Sequence, residues 1–154
     1  MGMNISDKSL NGVLTQLEDA ESRARAAIID VLSEAGDYVT EKIRNGEMSE
    51  WIHHSYNLVS SIGYAVSFRG NIAKISGFEA VQGGTEGAQK GRSLAEKLAR
   101  ESSADYALFV VAGEDYAVFV EAIDNKVVLS SAYMYLEKSV SVSLRDKIRK
   151  VLNR

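Results

Sequence analysis

Cysteine and proline are both absent from this chain. Without cysteine there is no disulfide framework, no thiolate nucleophile and no cysteine-ligated metal. At average usage, a chain of 154 residues would hold about eight prolines. With none, helices here are interrupted by glycine or by polar clusters only. Histidine is scarce as well: the two present are the adjacent His53 and His54. Neighbouring side chains do not converge on one ion and there is no third histidine, so the pair reads as solvated loop and not as zinc ligands. No apolar run approaches the roughly 20 residues that span a bilayer. The N-terminus lacks the charged and apolar regions of a secretory signal. Charge of one sign is lacking too: a formal net charge of −3 argues against a general nucleic-acid or membrane-surface role, because both need clustered positive charge. The simplest expectation is synthesis in the cytoplasm, with no membrane partner and no specific nucleic acid.

What is present is an ordinary globular mixture, 45% hydrophobic and 25% charged. A chain of this size buries roughly two thirds of its unfolded surface, enough for a core without staples. Met1-Gly2-Met3 reads as an added start before a natural Met3, which leaves one expected domain over residues 4–154.

The periodicity predicts a long helix from Ser9 to about Arg44. Leu10, Val13, Leu14, Leu17, Ala20, Ala24, Ala27, Ile28, Val31, Leu32, Ala35, Val39 and Ile43 recur at three- and four-residue steps as one stripe. Ser6 or Asp7 suits its start and Asn45-Gly46 its stop. Gly36 weakens the interior by about 1 kcal/mol relative to alanine. Such a helix runs about 50 Å, more than a small domain needs, so part of it is expected to pack on a neighbouring subunit.

Ser60 to Phe68 alternates as a strand. Ile62, Tyr64, Val66 and Phe68 share one face, and Ser61, Gly63, Ala65 and Ser67 the other. Arg69-Gly70-Asn71 turns the chain, and Ile72 begins the return strand. Ser76 to Gly91, rich in glycine, reads as a long loop, mobile until bound. Arg92 to Glu101 reads as a short helix. "YALFVVA" (Tyr106–Ala112) and "YAVFVEA" (Tyr116–Ala122) read as a second hairpin, and Leu129 to Leu152 as a second long helix with a basic C-terminal end. The expected fold class is α+β: an antiparallel sheet of about four strands, two hairpins, packed on one face against two long helices.

Chemistry is hard to find in this pattern. Glu114, Asp115 and Glu121 supply carboxylates, but the first two fall in a hairpin turn where acids are common. "GGTEGAQKGR" lacks the phosphate-loop spacing: neither Gly83 nor Gly84 has a glycine five positions on, and Lys90 is followed by Gly91 instead of serine or threonine. Tyr106, Tyr116, Tyr133 and Tyr135, with Phe109 and Phe119, form the aromatic content of a stacking platform, yet Tyr106 to Ala122 contains no lysine or arginine. No serine stands out as activated. The expectation is therefore a non-enzyme with no catalytic, cofactor or metal residues.

Three stretches together resemble a family. "NLVSSIGYAVSF" (Asn57–Phe68) is similar to its Asn-Leu, spacer, Ser-Ile-Gly-Tyr segment leading into the first strand. "YAVFVEA" is similar to its Tyr-Ala-x-x-Val-Glu strand, and "VLSSAYMYLEKSV" (Val128–Val140) to the start of its closing helix. The family is the tail-completion, or neck, proteins of long-tailed double-stranded DNA phages and prophages. The chain departs from it at Ser55-Tyr56, where the family often has Thr-Gly, and at Ala122-Ile123-Asp124, where a glycine often follows the Val-Glu. The resemblance implies a structural ring component of the virion neck, assembled in the bacterial cytoplasm, usually as six copies between head connector and tail tube. A small cytoplasmic adaptor with a host protein partner is the alternative on the same frame, and an enzyme whose site forms between subunits is a third.

Overall fold

The computed structural model describes residues 7–47, 56–114 and 129–153. The elements in order are helix α1 (Asp7–Arg44), the single turn α2 (Asn57–Ser60), strands β1 (Ile62–Phe68) and β2 (Asn71–Gly77), helix α3 (Thr85–Glu101), strand β3 (Tyr106–Ala112) and helix α4 (Ser130–Leu152). The class is α+β, as the pattern predicts. Among the described residues the sheet has three strands in the order β2-β1-β3, all neighbours antiparallel. The expected fourth strand, Tyr116–Ala122, lies outside the described residues.

Side-chain alternation on β1 sorts the molecule into layers. Ile62, Tyr64 and Val66 point toward α1 and α4, joined by Tyr106, Leu108, Val110 and Ala112 of β3. Ala65 points the other way, with Phe109 and Val111, into a core closed by Ala88, Ala95 and Ala99 of α3. The two long helices share one face of the sheet, as expected. The second face is not open: α3 covers it. β1 is central and buried on both sides, which is why it reads as nearly continuous apolar and small residues.

Turn chemistry sets the boundaries. Arg69 and Gly70 both have positive φ, 49° and 75°, the pair required by the two-residue hairpin turn whose twist suits its strands. At the end of α1, Gly46 sits at φ 72°, and its N–H donates to the Ile43 carbonyl at 3.1 Å while the Glu47 N–H donates to the Lys42 carbonyl at 3.0 Å. These two bonds satisfy two of the last four carbonyls of the helix, and a glycine takes the left-handed position without penalty.

The largest departure from the sequence pattern is Ser76–Gly91. It is not a long loop. β2 continues to Gly77, and α3 begins at Thr85, seven residues before the expected start at Arg92. The short connection between them is pinned: Phe78 is buried in the α3-face core, the Val81 N–H donates to Ser60 Oγ at 2.9 Å, and Arg44 donates to the Glu79 carbonyl at 3.2 Å. The glycines are there for close approach. A Cβ on Gly87 would stand 2.1 Å from the Asn57 carbonyl oxygen, and one on Gly91 2.1 Å from that of Ser61. Gly84, Gly87, Gly91, Ala95 and Ala99 follow three- and four-residue steps, so they form the bare stripe along which α3 lies on α2 and the sheet.

Gly36 has a matching role on the opposite face. A Cβ there would come within 2.5 Å of the Tyr64 ring, so the missing side chain lets the ring lie flat on α1. Tyr64 is fully buried, and its hydroxyl donates to Asp37 Oδ1 at 2.8 Å, one residue beyond that glycine.

Candidate interaction surface

The residues singled out for chemistry do not come together. His53, His54, Asp115, Tyr116, Phe119 and Glu121 lie outside the described residues. Among the described residues, no group of three or more histidines, cysteines or carboxylates is placed to hold a metal ion. Phe109 is half-buried in the core beneath α3, and Tyr106 lies on the other face against Phe68, with ring centroids 5.0 Å apart. Tyr135 stacks on Tyr38 of α1 at 4.9 Å, beside a groove of about 180 Å³ that also touches Val31, Ala35 and Ser139. Tyr133 is exposed. These rings occupy separate sites and make no continuous stacking surface.

Glu114 is not the solvated turn acid that its position in the sequence predicts. It is only 6% exposed, two residues past the end of β3, and its Oε2 accepts from Lys90 Nζ at 3.4 Å while Oε1 has no hydrogen-bond partner. Lys90 also pairs with Glu86 at 3.1 Å, one turn back on α3. The Glu86 hydrogen bond, with added pull from Glu114, holds the Lys90 ammonium above the ordinary lysine range. The lysine of "GGTEGAQKGR" is thus engaged by two carboxylates and is not presented to a phosphate. Removing one partner of such a pair strands a buried charge. Lys90→Met is expected to lower Tm by about 3–6 °C, and adding Glu114→Gln to recover most of that loss. Equal melting of Lys90→Met and the unaltered chain would show that the pair contributes nothing.

The surface that stands out is apolar and belongs to α1. From Asp7 to Asp19 every residue of this helix is exposed. Leu10, Val13, Leu14 and Leu17 are 51%, 53%, 48% and 60% exposed. Their spacing places all four on one side of the helix. The same stripe is buried further on, at Ala27, Val31, Val39 and Ile43, the last two packed with Ile62 of the sheet and Ala132 of α4. α1 therefore extends beyond the body as an arm of about three turns with an uncovered seam.

On α4 the basic residues divide in two. Lys147 turns inward to Glu34 at 2.9 Å and Asp30 at 3.8 Å, fastening α4 to α1. Lys138, Arg145 and Arg149 are exposed and have no ion-pair partner among the described residues. No helix among the described residues is long and apolar enough to cross a membrane. Sequence reasoning included the arm within the long helix but did not separate its exposed half from its buried half. The available signal was length: α1 outruns α4 and the sheet that it packs on. Comparison with known protein families, with curated proteins and with solved structures finds no match to this chain.

Proposed function

We propose that the chain is a structural part of the head–tail junction of a long-tailed phage or prophage, a tail-completion protein that assembles as a ring between the head connector and the tail tube. The observation that carries this reading is the arm. Four large apolar side chains in a row, held in water by a helix with no core to cover them, are a contact surface for another chain. The motif "NLVSSIGYAVSF", which resembles the neck family, forms α2 and the central strand β1, so the resemblance falls on the part of the chain that organises the sheet. The role needs no reaction, and the carboxylates and lysine that are described serve packing and ion pairs.

The test is mass spectrometry of particles purified after induction of the source prophage. The expected result is this chain at a few copies per particle, alongside capsid and tail proteins. Intact tailed particles that form from the same prophage without it would overturn the reading. They would turn attention to the adaptor alternative, in which the arm serves a host protein and pull-downs identify it.

A further inference from the structure

We propose that the arm of α1 opens and closes as a unit of its own, separate from the body, and that the contact of Arg25 with Phe68 is where the opening stops. The inference concerns the free chain and holds whatever role the arm serves.

The arm lacks both supports of a stable helix. Every residue from Asp7 to Asp19 is exposed, and none of them belongs to a core cluster. Core packing, which stabilises most helices in proteins, therefore does not hold these turns. Local propensity does not replace it. Ser9, Asn11, Gly12, Val13 and Thr15 are weak helix formers, set within seven consecutive residues. The Thr15 hydroxyl donates back to the Asn11 carbonyl at 3.0 Å, a bond that competes with the helix ladder. An isolated helix of about three turns is marginal in water even when rich in alanine. The arm avoids the cost of nucleation, because the body supplies the first turns, so it opens from its free end.

The other end of the arm is held. Ala20 is the first half-buried residue, and Ala24 and Arg25 follow. The Arg25 guanidinium lies 4.5 Å from the centre of the Phe68 ring, at the end of β1, and its Nη2 pairs with Glu21 at 2.8 Å, one turn back. Arg69 approaches the same ring at 5.1 Å and is itself held by Asp105 at 2.8 Å. One ring on the central strand thus engages two cations, and one of them belongs to α1. From Ala27 onward α1 has buried residues on every turn, and Lys147 of α4 pairs with Asp30 and Glu34. The stretch from Glu21 to Arg25 is therefore the boundary between a part of α1 that packing holds and a part that only local propensity holds. The loose element of this fold is the arm, and not Ser76–Gly91.

Amide hydrogen exchange of the full chain, followed residue by residue by NMR, tests this, with protection in β1 and α3 as the reference. Amides of residues 11–19 are expected to exchange within about tenfold of an unstructured peptide, and those of residues 31–43 at least about a hundredfold more slowly. Gly12→Ala is expected to raise protection in the arm about three- to fivefold, following the difference in helix propensity. Arg25→Met keeps a good helix former but removes the ring contact and the Glu21 pair. It is expected to lower protection of residues 24–28 about five- to tenfold. Neither substitution falls in a core cluster, so both variants retain the fold. Arm amides as protected as those of residues 31–43, an arm indifferent to Gly12→Ala, or a boundary that stays in place in Arg25→Met would each overturn the inference.

Discussion

Gly91→Ala is expected to destabilise the fold by about 3 kcal/mol, the upper end for overpacking, and to lower Tm by about 6–12 °C. The reason is the nature of the wall. The new methyl group would stand 2.1 Å from the Ser61 carbonyl oxygen and 2.8 Å from the Phe78 ring. A flexible side chain can swing aside, but the Ser61 carbonyl is backbone at the entry to the central strand. Its hydroxyl also accepts the Gly113 N–H at 3.0 Å, which ties the same point to the end of β3. Moving it therefore shifts α2, β1 and β3 together, or lifts α3 off the sheet. Gly12→Ala makes the contrast. Nothing lies within 4 Å of a Cβ there, and the site is exposed helix interior. That substitution is expected to stabilise by about 0.5–1 kcal/mol, from backbone entropy alone. Thermal unfolding of both variants checks the pair of signs. If Gly91→Ala melts with or above the unaltered chain, α3 is not seated on this stripe.

The second large effect is at Tyr64. Tyr64→Ala is expected to cost about 3–5 kcal/mol, because a fully buried ring leaves a cavity between α1 and the sheet that the flat Gly36 surface cannot fill. Tyr64→Phe isolates the hydroxyl and is expected to cost about 1 kcal/mol through the lost bond to Asp37. The pair also differs in pH dependence. Burial, reinforced by the Asp37 hydrogen bond and charge, pushes the Tyr64 hydroxyl well above the ordinary tyrosine range. The folded state therefore holds this proton more tightly than the unfolded chain does. The associated stability is fully present below the unfolded value near pH 10 and is lost as pH rises beyond it toward the folded value. Denaturant titrations between about pH 8 and 11 should show the unaltered chain losing stability faster than Tyr64→Phe at the alkaline end. Parallel curves would mean that the ring is not sealed from water.

Much of the fold is legible in residue order because it depends on local period. The stripe from Leu10 to Ile43 specifies a helix whatever it packs on, and the alternation from Ile62 to Phe68 specifies a strand with two unlike faces. Asn45-Gly46 and Arg69-Gly70 mark their turns, since left-handed positions favour glycine wherever they occur. The α+β class follows from the order of these elements. The same reasoning misplaces Ser76–Gly91, because glycine has two uses that a sequence does not distinguish. It loosens a chain, and it lets two backbones touch. Only the seating of α3 against Asn57 and Ser61 shows that Gly87 and Gly91 serve the second use. Glu114 is a similar case. An acid after a strand reads as a solvated turn until Lys90, twenty-four residues earlier, is brought beside it. The division of α1 into a buried half and an exposed arm was likewise decided in three dimensions. Period alone places Leu10 and Val31 on one stripe. Burial depends on where α4 and the sheet end, a property of lengths and crossings that no window along the chain contains.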